Sequence, residues 1–207
     1  MEVRPPNTMS EKVERKIILG SASANRRKVF EQMGYSFEVM SADIDEKAIR
    51  SPNMRKLPLL IARAKADALL SRIAEPAILL TADQITLWNG EMREKPKDTE
   101  EAYRFLRTMS ESGLPSYSLN GIVVRDTVTG RQEEGSDASY LIFRKIPDSI
   151  ITRLVQGGEV FDWAGGYNPD HPLLSPYIER VVGEEGSILG LPVSLTRRLI
   201  SAVQEHR

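Results

Sequence analysis

The segment Lys16-Ile17-Ile18-Leu19-Gly20 runs into five small or polar residues, Ser21 to Asn25, and then into Val29, Phe30 and Met33 at helical spacing. Three adjacent aliphatic residues ending on a glycine suit a short buried strand, and the spacing that follows suits an amphipathic helix. The chain therefore opens its fold as strand, tight loop, helix. Gly34 is placed to close that helix as a C-terminal cap, and Phe37 and Val39 read as a second strand. A polar stretch from Asp43 to Asn53 follows.

Pro58 suits the first turn of a helix whose Leu59, Leu60, Ala62, Ala66, Leu69, Leu70 and Ile73 give a broad apolar face up to Ala74. Ile78-Leu79-Leu80 reads as a buried strand, and Ile85 and Leu87 alternate with polar residues into the Asn89-Gly90 turn, as in a hairpin. Asp98 with Glu101 three residues on resembles a capping box, opening a helix with Ala102, Phe105, Leu106 and Met109. Strand-like runs at 122–124 and 140–143 are separated by a turn-rich stretch with Gly130 and Gly135. A helix from Asp148 to Gln156 stops at Gly157-Gly158, and a last one around Leu195, Leu199, Ile200 and Val203 follows Gly190-Leu191-Pro192. Helices and strands alternate in the first half and the middle reads as an antiparallel meander, so the expected fold is a single α/β unit with a twisted mixed β-sheet, flanking helices and two lobes around a cleft. Residues 1–15, with paired prolines and no periodicity, read as a flexible extension, leaving 16–207 as one domain.

Composition narrows the chemistry. The 207 residues carry 28 Lys and Arg against 29 Asp and Glu, a net charge of -1, so no global basic field is present to hold nucleic acid. With no Cys and two His, a disulfide framework and a thiolate zinc site are excluded, and little is left for an imidazole metal site or a Ser-His triad. No apolar run approaches the ~18 residues that span a bilayer, and a cytoplasmic protein is the expectation.

Five places could carry chemistry. In Gly20 to Arg27 the small residues let a ligand approach the backbone, and Ser23 or Asn25 can cap the helix above an anion site. Two arginines in a first turn oppose the helix dipole unless something negative binds there; an ordinary loop with solvated arginines fits the same residues. Asp83, just past Ile78-Leu79-Leu80, can hold a hydrated cation or take a proton from water, or simply make a turn hydrogen bond. Lys95 beside Pro96 could reach a phosphate or belong to a solvated charge run. Lys65 interrupts an apolar helical pattern as a ligand contact or a snorkelling lysine, and Asp43, Asp45 and Glu46 suit either a metal or a turn.

The order of these motifs, followed by Ala164-Gly165-Gly166-Tyr167 and Gly190-Leu191-Pro192, resembles the Maf family of nucleotide pyrophosphatases over about residues 16 to 203. The resemblance implies a fold similar to that of inosine-triphosphate pyrophosphatase, a nucleoside triphosphate in the cleft, and cleavage between the α and β phosphates with a divalent metal, Mg or Mn. It implies Ser21, Arg26, Arg27, Lys65 and Lys95 as phosphate ligands, Glu46 and Asp83 at the metal, and Asp83 as acceptor of the proton from the attacking water. It also implies a homodimer as a family trait. Such chemistry needs cations on the phosphates and one carboxylate to orient water, and no His or Cys.

Within the family, the spacing through Ser23-Ala24-Asn25-Arg26-Arg27, Gln84 after Asp83, and Asp170 resemble the branch acting on 7-methylguanosine triphosphate; the dTTP- and UTP-directed branch is the alternative. Asn25, Gln84 and Asp170 are the expected base-facing residues, since a carboxylate accepts from the guanine N1-H and amine. The chain departs from that branch at Asn25, where an aromatic suited to a cationic base is usual, at Ala24, at Asn120-Gly121 and at the proline-rich stretch 168–174 with His171. A nucleotide-binding regulator of cell division is the non-enzymatic alternative.

Overall fold

Ile17-Ile18-Leu19 and Ile78-Leu79-Leu80 are apolar at consecutive positions because both faces of their strands are covered. A computed structural model describes residues 15–205; apart from Arg15, the extension read over residues 1–15 lies outside them. Strands β1 (Lys16–Gly20), β2 (Phe37–Val39), β3 (Ala77–Trp88), β4 (Glu91–Arg93), β5 (Ser116–Asp126), β6 (Gln132–Phe143) and β7 (Ile178–Val182) form one mixed sheet. Its order is β2-β1-β3-β5-β6-β7, with β4 added to the outer half of β3. The pairs of β1 with β2 and β3 are parallel and the others antiparallel.

The helices are α1 (Ala24–Gln32), α2 (Leu57–Leu70), α3 (Thr99–Ser112), α4 (Asp148–Gly157), the short α5 (Glu185–Ile188) and α6 (Val193–Glu205). On one face, Val29 and Phe30 of α1 and Leu195, Leu199 and Val203 of α6 pack on Leu19, Ile78, Leu80, Ile122 and Val124. On the other, Ala62, Ala66 and Leu69 of α2 cover Ile18, Leu79 and Val123. A further core joins Phe105, Leu106 and Met109 of α3 to Ile151, Leu154 and Val155 of α4, with Phe143 and Tyr167. The two-lobed arrangement follows, because the cleft runs between the α1–α6 core and the α3–α4 core.

Several local readings need correction. Residues 78–87 all lie on one strand, the 12-residue Ala77–Trp88, and Asp83 lies inside it, opposite Gly121 of β5. Polar residues at 81, 83 and 84 interrupt the apolar pattern without ending the strand. Gly135 is likewise inside β6, and only Gly130 is in the turn. Helix α2 ends at Leu70, and β7 carries too little burial to have been read at all. Asp98 does cap α3, accepting from the Glu101 N-H at 2.8 Å, but the Glu101 carboxylate turns to the Lys97 N-H.

Candidate active site

Parallel strand β1 stops at Gly20, opposite Thr81, and β4 begins to pair only at Thr86. Between them the edge of β3 is open, and Asp83 and Gln84 sit in the gap. Crevices of this kind, beyond the carboxyl ends of parallel strands, are where α/β sheets admit ligands. A cleft of about 600 Å3 occupies the gap, with the loop Gly20–Arg26 on one side and residues 162–169 on the other. A second cavity of about 530 Å3 shares Glu46, Asp83, Gln84 and Lys95 with it, so Asp83 stands where the two meet.

Two glycines allow these close approaches. A Cβ on Gly20 would fall 2.6 Å from the Thr81 methyl, which would push β1 off β3. A Cβ on Gly121 would lie 2.2 Å from the Leu59 backbone nitrogen, so the start of α2 rests directly on bare β5 backbone. With α2 that close, Lys65, buried on its inner side, reaches the centre of β3. Its Nζ donates to Asp83 Oδ1 at 2.7 Å and pairs with Glu46 Oε1 at 2.9 Å. Lys65 is thus no snorkelling lysine, and Glu46, on the short 3-10 turn Glu46–Ala48, is brought to the same ammonium as Asp83.

Helix α1 begins with Ser23, whose Oγ accepts from the Arg26 N-H. The helix has no acid in its first turn, and its N-terminus opens on the cleft. Arg26 is buried; its Nη1 donates to Ser21 Oγ at 3.1 Å and its Nε to the Gly190 carbonyl at 3.0 Å. A guanidinium has five donors, so this anchoring leaves others to meet an anion. Gln84 also lines the cleft, but its amide nitrogen donates to the Ile188 carbonyl at 2.8 Å and ties that loop to β3. Asn25 and Lys95 complete the residues brought together; Lys95 is exposed on the rim.

Two expected site residues are not brought in. Arg27, one position after Arg26, projects to solvent, since successive helix residues point about 100° apart. Asp170 is not among the lining residues; its carboxylate pairs with Lys28 at 2.7 Å at the surface. His171, in the proline-rich stretch, is only 18% exposed, beside Glu159 and packed against Trp163. Sequence reasoning missed Trp163 and Asp162, which line the cleft, and Arg93, which lines the second cavity. Trp163 stands next to the Ala164-Gly165-Gly166-Tyr167 motif, a signal that was present; for Arg93, buried under Trp88 and over Phe105, the sequence offers none.

Burial raises the Asp83 carboxyl above its ordinary value of 3.8, while Lys65 and Arg26 draw it back down. Burial lowers the Arg26 guanidinium, opposed by Asp83 and Glu46. A raised native value means that the folded state holds the Asp83 proton to higher pH than the unfolded chain. Asp83's contribution to stability is therefore full below the unfolded value and is lost as pH climbs through the raised one. A carboxylate that takes a proton from water works only when ionised, so with Asp83 in that role the acid limb of kcat/KM is expected above the usual carboxylate range; a pH–rate profile checks this. Among the described residues no three His, Cys, Asp or Glu gather as a metal cluster, and no helix is long and apolar enough to cross a membrane.

A model for Maf-like proteins matches residues 16–203. The 7-methyl-GTP pyrophosphatase of Dictyostelium discoideum is 40% identical over 92% of this chain and 98% of its own. A nucleoside triphosphate pyrophosphatase of Salinispora tropica is 30% identical over 93% and 86%, and a dTTP/UTP pyrophosphatase of Bdellovibrio bacteriovorus 30% over 89% and 97%. Among solved structures, a nucleoside-triphosphatase, a dITP/XTP pyrophosphatase from Mycobacterium abscessus, aligns over 92% of this chain and 94% of that one at 12% identity, with a TM-score of 0.41. With residues 16–203 matched and a 40% identical relative covered almost end to end, the chain belongs to the Maf-like protein family.

Proposed function

We propose that this chain hydrolyses a nucleoside triphosphate between its α and β phosphates, releasing the monophosphate and pyrophosphate, with 7-methyl-GTP as its preferred substrate. The observation that carries the reading is the placement of Asp83: a buried carboxylate in the gap of β3, held by Lys65 and facing a cleft that the N-terminus of α1 and Arg26 also enter. Ser21, Arg26, Lys65 and Lys95 supply the cationic and hydrogen-bonding surface for the phosphates. Asp83 accepts the proton of the attacking water, a role in which a desolvated carboxylate gains basicity. Asn25 and Gln84 border the space left for the base. Arg27 and Asp170 are left out of this assignment, because one faces solvent and the other is paired with Lys28.

A divalent cation suits this donor set. Mg is commonly held by one or two carboxylates together with substrate phosphates, and Asp83 and Glu46, drawn together by Lys65, are such a pair. When bound, Mg or Mn would offset negative charge on the phosphates. The preference for 7-methyl-GTP is supported by the name of the 40% identical relative, and the pyrimidine alternative by relatives at 30%. A cytoplasmic homodimer is part of the proposal through the family resemblance.

Products decide the reaction. Incubation of the purified protein with Mg or Mn and a panel of 7-methyl-GTP, GTP, UTP and dTTP is expected to give monophosphate and pyrophosphate in equal amounts, fastest on 7-methyl-GTP. Diphosphate with orthophosphate would refute the α–β assignment, and a faster reaction on UTP or dTTP would refute the substrate assignment alone.

A further inference from the structure

The cleft lining is chemically mixed. Lys65 and Arg26 gather at Asp83, whereas residues 162–169 contribute a carboxylate, an indole and a proline. We infer that Trp163 is the stacking surface for the base and Asp162 the acid beside it, a pair that selects a positively charged purine such as 7-methylguanine; this deepens the pyrophosphatase reading and rests on it.

Trp163 is half-buried, in an extended conformation (φ -111°, ψ 129°) between the 3-10 turns Glu159–Asp162 and Ala164–Gly166. Its backbone N-H donates to the Val160 carbonyl at 3.3 Å, and its ring packs on that of His171 with centroids 5.2 Å apart. His171 is itself fixed: Nδ1 accepts from the Leu173 N-H at 3.3 Å, and Nε2 lies 3.0 Å from Glu159 Oε2. The indole thus has a held neighbour while still lining the cleft, so little side-chain freedom is lost when a base stacks on it. The Gly165 N-H donates to the Glu94 carbonyl at 3.0 Å, which links the Trp163 segment to the stretch after β4 that carries Lys95. Asn25 offers no ring, and Trp163 brings one to the same cleft from the facing wall.

The selectivity follows from charge. Any base can stack on an indole, but N7-methylation makes guanine cationic, and a cation over an indole face gains an attraction that a neutral ring lacks. The Asp162 carboxylate adds a second attraction for positive charge, whereas UTP and dTTP would gain only the stacking. Lys65 and Arg26, gathered at Asp83, are left to the phosphates.

The test measures kcat and KM with 7-methyl-GTP, GTP and UTP for the wild type, Trp163→Phe, Trp163→Ala and Asp162→Asn. Trp163→Ala is expected to lower kcat/KM on 7-methyl-GTP about tenfold through KM, with less effect on GTP and least on UTP, and Trp163→Phe to restore most of it. Asp162→Asn is expected to lower 7-methyl-GTP use relative to GTP. An equal loss on all three nucleotides, or none, overturns the inference. Should Trp163→Ala fail to fold, a second readout stands. The chain has two tryptophans, so in a Trp88→Phe protein Trp163 is the only indole fluorophore. Its emission should be quenched more strongly by 7-methyl-GDP than by GDP, and equal or absent quenching overturns the inference. A wild type that releases pyrophosphate from no nucleotide defeats the pyrophosphatase reading instead, and leaves the quenching experiment to decide the base subsite.

Discussion

Asp83→Asn is expected to lower kcat a hundredfold or more on the best triphosphate, leaving KM within a few fold and the melting temperature no lower than that of the wild type. The amide is nearly isosteric but too weak a base to take a proton from water. Ser21, Arg26 and Lys95 are untouched, so the proposed phosphate-binding surface persists. The stability forecast has its own cause. Burial opposes the charged form of Asp83, and removing that charge relieves a cost that the fold bears at neutral pH. Lys65 keeps Glu46 as a partner at 2.9 Å, on a carboxylate side chain about half exposed to water, so its ammonium is not stranded. Near-normal kcat would remove Asp83 from the chemistry; a large fall in melting temperature would mark it as a structural ion-pair partner.

What was legible in the sequence depended on burial. The strands around Ile17-Ile18-Leu19 and Ile78-Leu79-Leu80 announce themselves because α1 and α6 cover one face of the sheet and α2 the other, leaving no polar position to blur the run. Strand β7 has no such run: Glu179 to Val182 are exposed, on the sheet's edge. The first half of β6, Gln-Glu-Glu-Gly-Ser-Asp, is only partly covered and reads as turn. The misreading at β3 has a local cause. Of the polar residues that appeared to end it, Asp83 and Gln84 lie where its edge is unpaired, and a strand carrying an open edge into a cleft breaks its apolar pattern there.

The site was legible where a charge stood out against an apolar background. Lys65, between Ala62 and Ala66 on a helix, and Arg26, in a first turn with no acid, both prove buried. It was not legible where orientation decides. Nothing in Arg26-Arg27 says which arginine turns inward; the three-dimensional placement of the Gly190 carbonyl, 164 positions on, makes that choice. Asp170 likewise finds its partner in Lys28, 142 positions away, and a count along the loop from Ala164 gives no sign of it.

Lys65→Met is expected to cost more than a phosphate contact. In the wild type the ammonium opposes burial at Asp83, by its charge and by donating to Oδ1 at 2.7 Å. Methionine fills a similar volume without that charge, so the Asp83 carboxyl moves further up, with only Arg26 still drawing it down. The unionised acid cannot serve as base. At neutral pH kcat/KM should therefore fall about tenfold or more, and the acid limb of its profile should move higher, with partial recovery as pH is raised. The stability change has the matching sign: with the native value displaced further above the unfolded one, the variant loses stability as pH rises through the interval between them. Lys65→Arg, which keeps a cation, should leave the acid limb close to its wild-type position even where KM suffers. The check is a pH–rate profile of all three proteins beside melting temperatures at acid and neutral pH. An acid limb that stays in place in Lys65→Met while KM alone rises would confine Lys65 to the phosphates and leave Asp83 tuned by burial and Arg26.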